Sequence, residues 1–363
     1  MGFARRVHVS DRREGFGTGE RQQGAPRRAE LTRRALLRAA VGAGIALPLA
    51  GLGARARGAD GAGRRGRHLR LAWNSGAVCH SPIALAVHDG IFARHGLDVE
   101  VVNFAGSTEQ LLEAIATGKA DAGIGMVLRW LKPLEQGFDV KLVAGTHGGC
   151  IRLIASKASG IRTVTDLAGK TVAVSDLASP AKNFFSILLA KSGIDPVKSV
   201  DWRTYPPDLQ ALAIEKGEAQ ALAHWDPDAY RNLKSGKLVE VASNLYGEYR
   251  SRVCCVIGAR GSLLREDRGA VRSLVEALHE AHAIAVTDPV RAAKVYSQQY
   301  SPKDPVEDLV AQLRSHTHAH HPVGADLRRE LALYADDLKR ISVLKSSTDP
   351  ARFADKIFAD VLS

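Results

Sequence analysis

A weak internal repeat constrains the possible folds of this chain more than any other feature. Three pairs of similar segments are separated by 97 to 99 residues. The pairs are Ser81-Pro82 with Ser179-Pro180, the turn Gly96-Leu-Asp98 with Gly193-Ile-Asp195, and 117–122 (TGKADA) with 216–221 (KGEAQA). Three offsets that agree within two residues predict one structural unit used twice, with chance matching of common turn dipeptides as the alternative.

Within each copy, short apolar runs alternate with helical stretches. This order is typical of α/β proteins, in which helices connect the strands of parallel sheets. We therefore predict two similar α/β lobes with parallel sheets, joined by two linker strands near residues 150 and 254. Residues 68–152 and 255–363 are expected to form lobe I, with the helical tail packed on it, and residues 153–254 to form lobe II.

The sequence also marks the individual strands and several helix starts. Ser81-Pro82 and the capping box at 107–110 (STEQ) each predict the beginning of a helix. The predicted strands are Leu69–Trp73, Val99–Asn103, Ala120–Gly125, Val140–Ala144, Ile151–Ala155, Thr171–Val174, Ala219–His224 and Val253–Ile257.

Residues 31–56 have the layout of a twin-arginine export signal. Two adjacent arginines precede a mild apolar stretch at 39–52, and the segment ends in Ala54-Arg55-Ala56. The apolar stretch is too short and too interrupted by glycine and proline to remain as a membrane span. An amphipathic helix or a basic nucleic-acid arm is the alternative. We assign residues 1–56 to the signal and 57–67 to a linker, and expect a periplasmic protein exported by the twin-arginine translocase.

The charge distribution argues against a nucleic-acid partner. Residues 1–67 hold 15 Arg and 5 acidic residues, so of the net charge of +11 only about +1 belongs to the other 296 residues. A nearly neutral body gives no electrostatic basis for binding DNA or RNA. No later segment is apolar enough to span a membrane, and we expect a soluble protein after export. Nucleophile-elbow and phosphate-loop motifs are missing from the sequence, so we assign no catalytic residue.

Three loops are expected to share one cleft. They follow predicted strands at 74–81, 104–108 and 176–179, and ligands of open parallel sheets bind beyond the carboxyl ends of the strands. Each loop leads into a helix N-terminus, where unpaired N–H groups and the positive end of the helix dipole favour an anion or a strongly polar group. Serine caps also serve ordinary helices, so each loop alone is a weak indication.

Cysteine and histidine residues are placed near the same cleft. They are Cys79-His80, His147, Cys150 and Cys254-Cys255. Thiolate with imidazole suits zinc, copper or iron. No pair has close Cys-x-x-Cys spacing, however, and Cys254 and Cys255 are expected to point to opposite faces of a strand. Buried thiols, or a Cys79–Cys150 disulfide, are the simpler interpretation, and we assign no metal ligand and no cofactor.

A denser histidine cluster lies at His316-x-His318-x-His320-His321. On an extended segment His316, His318 and His320 share one face and could hold a metal ion. Pro322 follows immediately, which favours a loop. We expect a solvated histidine-rich loop.

The chain resembles the extracytoplasmic solute-binding proteins of ABC importers, in the group for nitrate, sulfonates, taurine and thiamine precursors. The resemblance runs in order through most of the sequence after the signal. The matching motifs are 82–86 (PIALA), 90–92 (GIF), 96–100 (GLDVE), 118–122 (GKADA), 166–170 (DLAGK), 225–227 (WDP) and 349–355 (DPARFAD). It implies a type II periplasmic-binding-protein-like fold, and a monomer that closes on a small-molecule ligand and delivers it to an ABC permease with its ATPase.

The family's ligand loops can be carried over to individual positions of this chain. Trp225 could stack on a ligand, and packing in the lobe core is its alternative role. The resemblance implies ligand-binding roles for Asn74, Cys79, His80, Ser81, Ser107, Thr108, Thr146, His147, Ser179, Asn183, His224 and Trp225.

Two other functions stay open at this point. An enzyme that forms the thiamine pyrimidine shares this fold, but its contiguous cysteine run is missing here and an export signal argues against it. The other function is a receptor for a metal or metal chelate, which would use Cys79, His80, His147 and Cys150. Metal analysis of protein purified without a histidine tag separates these functions from a plain solute receptor.

Overall fold

Two five-stranded sheets surrounded by helices form the computed structural model, which describes residues 66–104 and 108–363. The proposed export signal and Ser107 lie outside the described residues. The strands are β1 (Arg67–Trp73), β2 (Leu97–Asn103), β3 (Ala122–Met126), β4 (Val140–His147), β5 (Ile151–Ser156), β6 (Lys170–Val174), β7 (Val200–Thr204), β8 (Ala221–Trp225), β9 (Leu238–Ser243) and β10 (Cys255–Arg260).

Helices cover the sheets and form the C-terminal part of the chain. No helix among the described residues is long and apolar enough to cross a bilayer. The helices are α1 (Ser81–His88), α2 (Ile91–Arg94), α3 (Thr108–Ala116), α4 (Val127–Glu135), α5 (Pro180–Lys191), α6 (Gln210–Glu215), α7 (Asp228–Lys234), α8 (Gly261–Glu266), α9 (Arg268–Thr287), α10 (Pro289–Tyr300), α11 (Val306–Ser315), α12 (Gly324–Arg340) and α13 (Pro350–Ile357).

The two sheets have the same topology, which confirms the internal repeat. Their strand orders are β2-β1-β3-β10-β4 and β7-β6-β8-β5-β9. The first three strands of each order are parallel, and even the short register matches, with Leu71 and Ala72 opposite Ala122 and Gly123 in one sheet and Val172 and Ala173 opposite Ala221 and Leu222 in the other. One supersecondary unit is therefore used twice.

The chain crosses between the sheets at two places, as the linker prediction requires. Residues 148–150 connect β4 in the first sheet to β5 in the second, and residues 244–254 connect β9 to β10. Both entering strands, β5 and β10, run antiparallel to their neighbours. Each sheet is therefore mixed, whereas the sequence predicted parallel sheets. The difference arises because β5 and β10 each enter directly from the other sheet, without the crossover helix that connects parallel strands.

All eight predicted strands are present, and two further strands were not predicted. The missed strands are β7 and β9, which lie at the two edges of the second sheet. In β7 only Val200 is buried, and the following residues are half-buried or exposed. Edge strands have few buried apolar positions, so their sequence lacks the apolar run that identified the others.

Helix starts were predicted with mixed success. Ser179 caps α5, because its side chain accepts a hydrogen bond from the Lys182 N–H. Ser81, by contrast, is the first residue of α1, and His80 occupies the capping position without a side-chain cap bond. The short helical turn at 78–80 directly before α1 moves the helix start by one residue.

A fully buried tryptophan on α4 fills the centre of the first sheet's core. The Trp130 ring lies against Gly125 of β3 and Gly258 of β10, where an added Cβ would come within 2.2 Å and 2.8 Å of ring atoms. Glycine at both positions lets the ring pack directly on the sheet backbone.

The helical tail contacts more than the lobe on which it was predicted to pack. Helix α9 packs on α1 and β4, as expected. Arg231 of α7, a helix beside the second sheet, binds Asp304 between α10 and α11 through two hydrogen bonds of 2.7 Å. Lys234 likewise binds Asp308 of α11 at 2.6 Å. The tail is therefore attached to the helices of both sheets.

Candidate functional site

The thiols of all four cysteines meet where the chain crosses between the sheets. Cys79 lies in the turn after β1, Cys150 in the first crossing, and Cys254 and Cys255 at the end of the second. Each is buried and free of disulfides. The topology explains the cluster, because both crossings pass the carboxyl end of β1.

The sulfur atoms form a ring. Cys150 Sγ is 3.6 Å from Cys254 Sγ. Cys79 lies within 4.8 Å of Cys150 on one side and of Cys255 on the other. Cys254 and Cys255 are also hydrogen-bonding neighbours, so the prediction that their side chains point to opposite faces is wrong. Cys254 precedes β10, and its side chain is not bound by the alternation of the strand.

The ring divides into two acidic and two weakly acidic thiols. Hydrogen bonds from Cys150 and Cys255 hold the pKa values of both Cys79 and Cys254 well below the usual thiol value, against the effect of burial. The pKa values of Cys150 and Cys255 are raised, since these thiols hydrogen-bond to their acidic neighbours and are buried. The arrangement favours thiolates at the centre of the protein.

Two imidazoles border the thiol ring. A ring nitrogen of His147 lies within 4.8 Å of Cys79 and Cys150, and a ring nitrogen of His80 lies equally close to Cys79 and Cys255. Burial lowers the pKa of His147, but the negative charge of Cys79 and Cys254 outweighs burial and raises that pKa to about 9. For His80 burial prevails, and its pKa is lowered.

A buried charged network lies beside the first crossing. Arg152 of β5 binds Asp226 through both carboxylate oxygens, with Nε–Oδ1 at 2.9 Å and Nη2–Oδ2 at 2.8 Å. His316 Nε2 lies 2.8 Å from Asp226 Oδ2, and both side chains are fully buried. Arg152 also binds Glu240 of β9. Burial alone would raise the pKa of Asp226, but hydrogen bonds from His316 and Arg152 hold it below its usual value.

The prediction of a solvated histidine-rich loop is wrong for two of its four histidines, which are buried. His316 and His318 are 5% and 3% exposed. His318 Nδ1 lies 3.4 Å from His282 Nδ1 of α9, and burial lowers the pKa values of both rings well below the usual range. Backbone hydrogen bonds from Gly148 to Thr317 and from Gly145 to Pro322 hold the segment against the first crossing, which explains its burial.

The shifted pKa of Asp226 predicts a loss of stability in acid. A folded pKa below the unfolded value of about 3.9 gives stability that is complete above that pH and is lost as the pH falls through the folded pKa. Urea unfolding between pH 3 and pH 7 should therefore show a free energy of unfolding that falls below about pH 4. In Asp226→Asn, which cannot titrate at residue 226, the free energy of unfolding should depend less on pH. An equal pH dependence in the variant and the unmodified protein would contradict a role for Asp226.

The other predicted residues of lobe I have local roles in the structure. Asn74 Oδ1 accepts a hydrogen bond from Gly76 N–H at 2.8 Å, and Thr146 Oγ1 donates one to the Cys255 carbonyl at 3.1 Å. Ser81 Oγ is buried and has no hydrogen-bond partner among the described residues. Thr108 begins α3. These positions keep their ligand-binding roles as predictions.

The predicted residues of lobe II lie on α5 and β8. Asn183 Nδ2 donates to the Leu128 carbonyl of α4 at 3.2 Å. His224 Nδ1 accepts from the Trp225 N–H at 2.8 Å. Asn183 Oδ1 and His224 Nε2 are buried and have no hydrogen-bond partner in the part of the chain that the structure describes. The half-buried Trp225 ring lies 4.1 Å from the His224 ring.

Helices α4 and α5 approach each other across the two sheet units. Arg129 of α4 forms a 2.7 Å ion pair with Asp176 in the loop before α5. A cavity of about 220 Å³ lies beside this contact. Its polar lining includes Arg129, Lys132, Gln136, Lys182 and Asn183. Sequence reasoning missed Arg129 and Lys182 because nothing distinguishes them from surface cations.

Comparison with solved structures identifies the fold. The alkanesulfonate-binding protein SsuA from Xanthomonas axonopodis pv. citri bound to MOPS has a TM-score of 0.66 at 22% identity, covering 79% of this chain and 97% of that chain. The periplasmic nitrate-binding protein NrtA from Synechocystis PCC 6803 has a TM-score of 0.66 at 15% identity, covering 82% and 87%. These neighbours confirm the two-lobed periplasmic-binding-protein fold expected from the sequence.

A third similar structure is the ligand-binding component of an ABC-type import system from Staphylococcus aureus with zinc bound. Its TM-score is 0.64 at 14% identity, covering 82% of this chain and 97% of that chain. No curated protein matches the chain significantly. Residues 78–292, more than half of the chain, match the family model described as NMT1/THI5 like. The chain therefore belongs to the NMT1/THI5-like family.

Proposed function

We propose that this protein is the exported substrate-binding component of an ABC importer and captures a small anionic or polar organic solute by lobe closure. In this proposal it works as a periplasmic monomer, carried out of the cytoplasm by the twin-arginine translocase, and delivers its solute to a permease with its ATPase. The proteins named above are binding proteins, which supports a binding role over an enzymatic one.

The observation that carries the proposal is the cavity between α4 and α5. A solute there touches residues from both sides, because the lining includes Leu128, Arg129, Lys132, Pro133 and Gln136 beside the first sheet and Leu177, Ala178, Lys182 and Asn183 beside the second. Three cations lie in its lining. Arg129 and Lys132 pair with Asp176 and Glu135 at 2.7 Å, and Lys182 adds a positive charge that favours a negatively charged group. Burial lowers the pKa of Lys182. The start of α5 adds the positive end of a twelve-residue helix.

Closure follows from this placement. Contacts from both units exist only when α4 and α5 lie close together, so a solute that uses both sides shifts the population toward the closed form. In this proposal, the contacts Arg129–Asp176 and Asn183–Leu128 stabilise the closed form. The permease would then recognise the closed form by its shape.

A thermal-shift panel tests the proposal. Nitrate, MOPS and other alkanesulfonates, taurine and pyrimidines are each added to the purified full chain. A solute at a hundred times its Kd should raise the free energy of unfolding by about 2.7 kcal/mol. For any solute that binds, Arg129→Ala should weaken binding by about tenfold to a hundredfold, equivalent to about 1.5–3 kcal/mol for one charged hydrogen bond.

Arg328→Ala is the matched control for this experiment. Arg328 also forms an arginine–carboxylate pair, but both members are more than half exposed and lie on α12 and α13. The Arg328→Ala variant should bind the solute with unchanged affinity. If no compound of the panel shifts the melting temperature, the proposed solute class is contradicted. If Arg129→Ala and the unmodified protein bind a solute with equal affinity, the cavity is not its binding site.

A further inference from the structure

The thiol ring is built like a complete ligand set for a metal ion. Its four sulfurs come from three separate segments of the chain, and each cysteine is at most 4% exposed. A tetrahedral ion with metal–sulfur bonds of about 2.3 Å places its sulfurs about 3.8 Å apart. The Cys150–Cys254 separation of 3.6 Å is close to that spacing without any movement of the backbone.

Cys79 lies within possible metal-ligand range of the thiols on both sides of it. Cys79 belongs to two groups of ligand atoms, one with Cys150 and His147 and one with Cys255 and His80, and within each group all atoms lie within 4.8 Å. Cys79 therefore links the two sides of the ring. Cys254 belongs to neither group, so one ion at the centre would have to draw the four sulfurs closer together than they lie in the structure.

Polar groups around the ring fit a thiolate cluster. Asn244 Nδ2 lies 3.6 Å from Cys254 Sγ, while its Oδ1 accepts hydrogen bonds from the N–H groups of Cys150 and Ile151. A single amide thus fixes the first crossing and donates toward a sulfur of the second. Outer contacts of this kind hold metal ligands in place. His147 Nε2 is buried, has no hydrogen-bond partner within residues 66–104 and 108–363, and is a further possible ligand atom at the ring.

We propose that Cys79, Cys150, Cys254 and Cys255 bind one soft metal ion, Zn²⁺ or Cu⁺, at the crossing between the two sheets. Four sulfur ligands complete a tetrahedral shell, so the ion has a structural role and leaves no open position for a reaction. Thiolate ligands select these ions over hard cations such as Mg²⁺ and Ca²⁺. The ion ties both crossings to the turn after β1.

Metal analysis of the full chain tests this proposal. The protein is produced without a histidine tag, purified under reducing conditions without chelators, and analysed by elemental mass spectrometry. A metal-free sample is then titrated separately with Zn²⁺ and with Cu⁺, which identifies the preferred ion. Co²⁺ serves as an optical probe. We expect one ion per chain, and for Co²⁺ the intense sulfur-to-metal charge-transfer bands of a thiolate site.

Single serine variants at two positions of the ring provide the second measurement. Cys150→Ser and Cys254→Ser should weaken metal binding more than the roughly tenfold to hundredfold that loss of an outer partner costs. His321→Ala is the control, because it removes an imidazole from the histidine cluster and leaves the thiols untouched. If the serine variants unfold, the Co²⁺ spectrum of the unmodified protein still decides whether thiolates bind the ion.

Two results would overturn the proposal. One is a reduced, folded protein that takes up none of the three ions and whose four thiols all react with a thiol reagent after unfolding. The other is a Cys150–Cys254 disulfide in the protein isolated from the oxidising compartment, shown by peptide mass spectrometry. Metal binding is measured without any solute, so a failed solute panel would affect only the proposed importer function.

Discussion

Asp226→Asn is expected to lower the free energy of unfolding by about 3–5 kcal/mol, the cost of breaking a buried ion pair on one side. The substitution preserves the shape of the side chain but removes the charge that Arg152 and His316 share. The guanidinium keeps Glu240 as a partner, yet the amide of the Asp226→Asn variant offers it one acceptor oxygen in place of two and no negative charge. Urea unfolding at neutral pH measures the difference.

Asp355→Asn makes the same chemical change at an exposed ion pair. Asp355 binds Arg328 at 3.1 Å, with both side chains more than half exposed. Exposed pairs contribute about 0–1 kcal/mol, so this control should lose no more than that. Equal losses in the two variants would show that burial of the Arg152–Asp226 pair has no energetic weight.

Trp130→Ala is expected to have a similarly large effect, with a loss of about 3–5 kcal/mol. The ring is fully buried and lies directly on the backbone at Gly125 and Gly258, so its removal leaves a cavity in the middle of the first sheet unit. Trp202, a half-buried tryptophan on the edge strand β7, is the control, and Trp202→Ala should cost clearly less.

A double-mutant cycle sharpens this prediction. Gly125→Ala alone places a Cβ 2.2 Å from the Trp130 ring and should cost about 1–3 kcal/mol through overpacking. In the Trp130→Ala background the same methyl group enters the vacated space, so its cost should disappear. Coupling of about 0.5–3 kcal/mol is therefore expected between the two sites. Additive losses would contradict direct packing of the ring on Gly125.

Much of the fold was predictable because it depends on local patterns used twice. The Ser-Pro helix starts and glycine turns recur at a constant offset, and the two sheets repeat the same order and register. The antiparallel direction of β5 and β10 was not predictable, since it depends on where each crossing enters the other sheet. Edge strands such as β7 lack a buried apolar run and were missed for that reason.

The candidate site was predictable in its residue types but only partly in its arrangement. The positions of Cys79 and Cys150 near a crossing followed from the strand order. That Cys254 and Cys255 both join the ring depends on where β10 begins, which sequence periodicity does not locate. The burial of His316 depends on Asp226, a partner 90 residues away, and no local pattern indicates such a contact.

The attachment of the tail to the helices of both sheets restricts how the two sheets can move relative to each other. Arg231–Asp304, Lys234–Asp308 and His316–Asp226 form a third connection, made of side chains, beside the two covalent crossings. Three connections between the two sheets allow fewer relative movements than two connections do. An opening movement that admits a ligand must therefore rotate about an axis close to these three side-chain pairs, or it must break them.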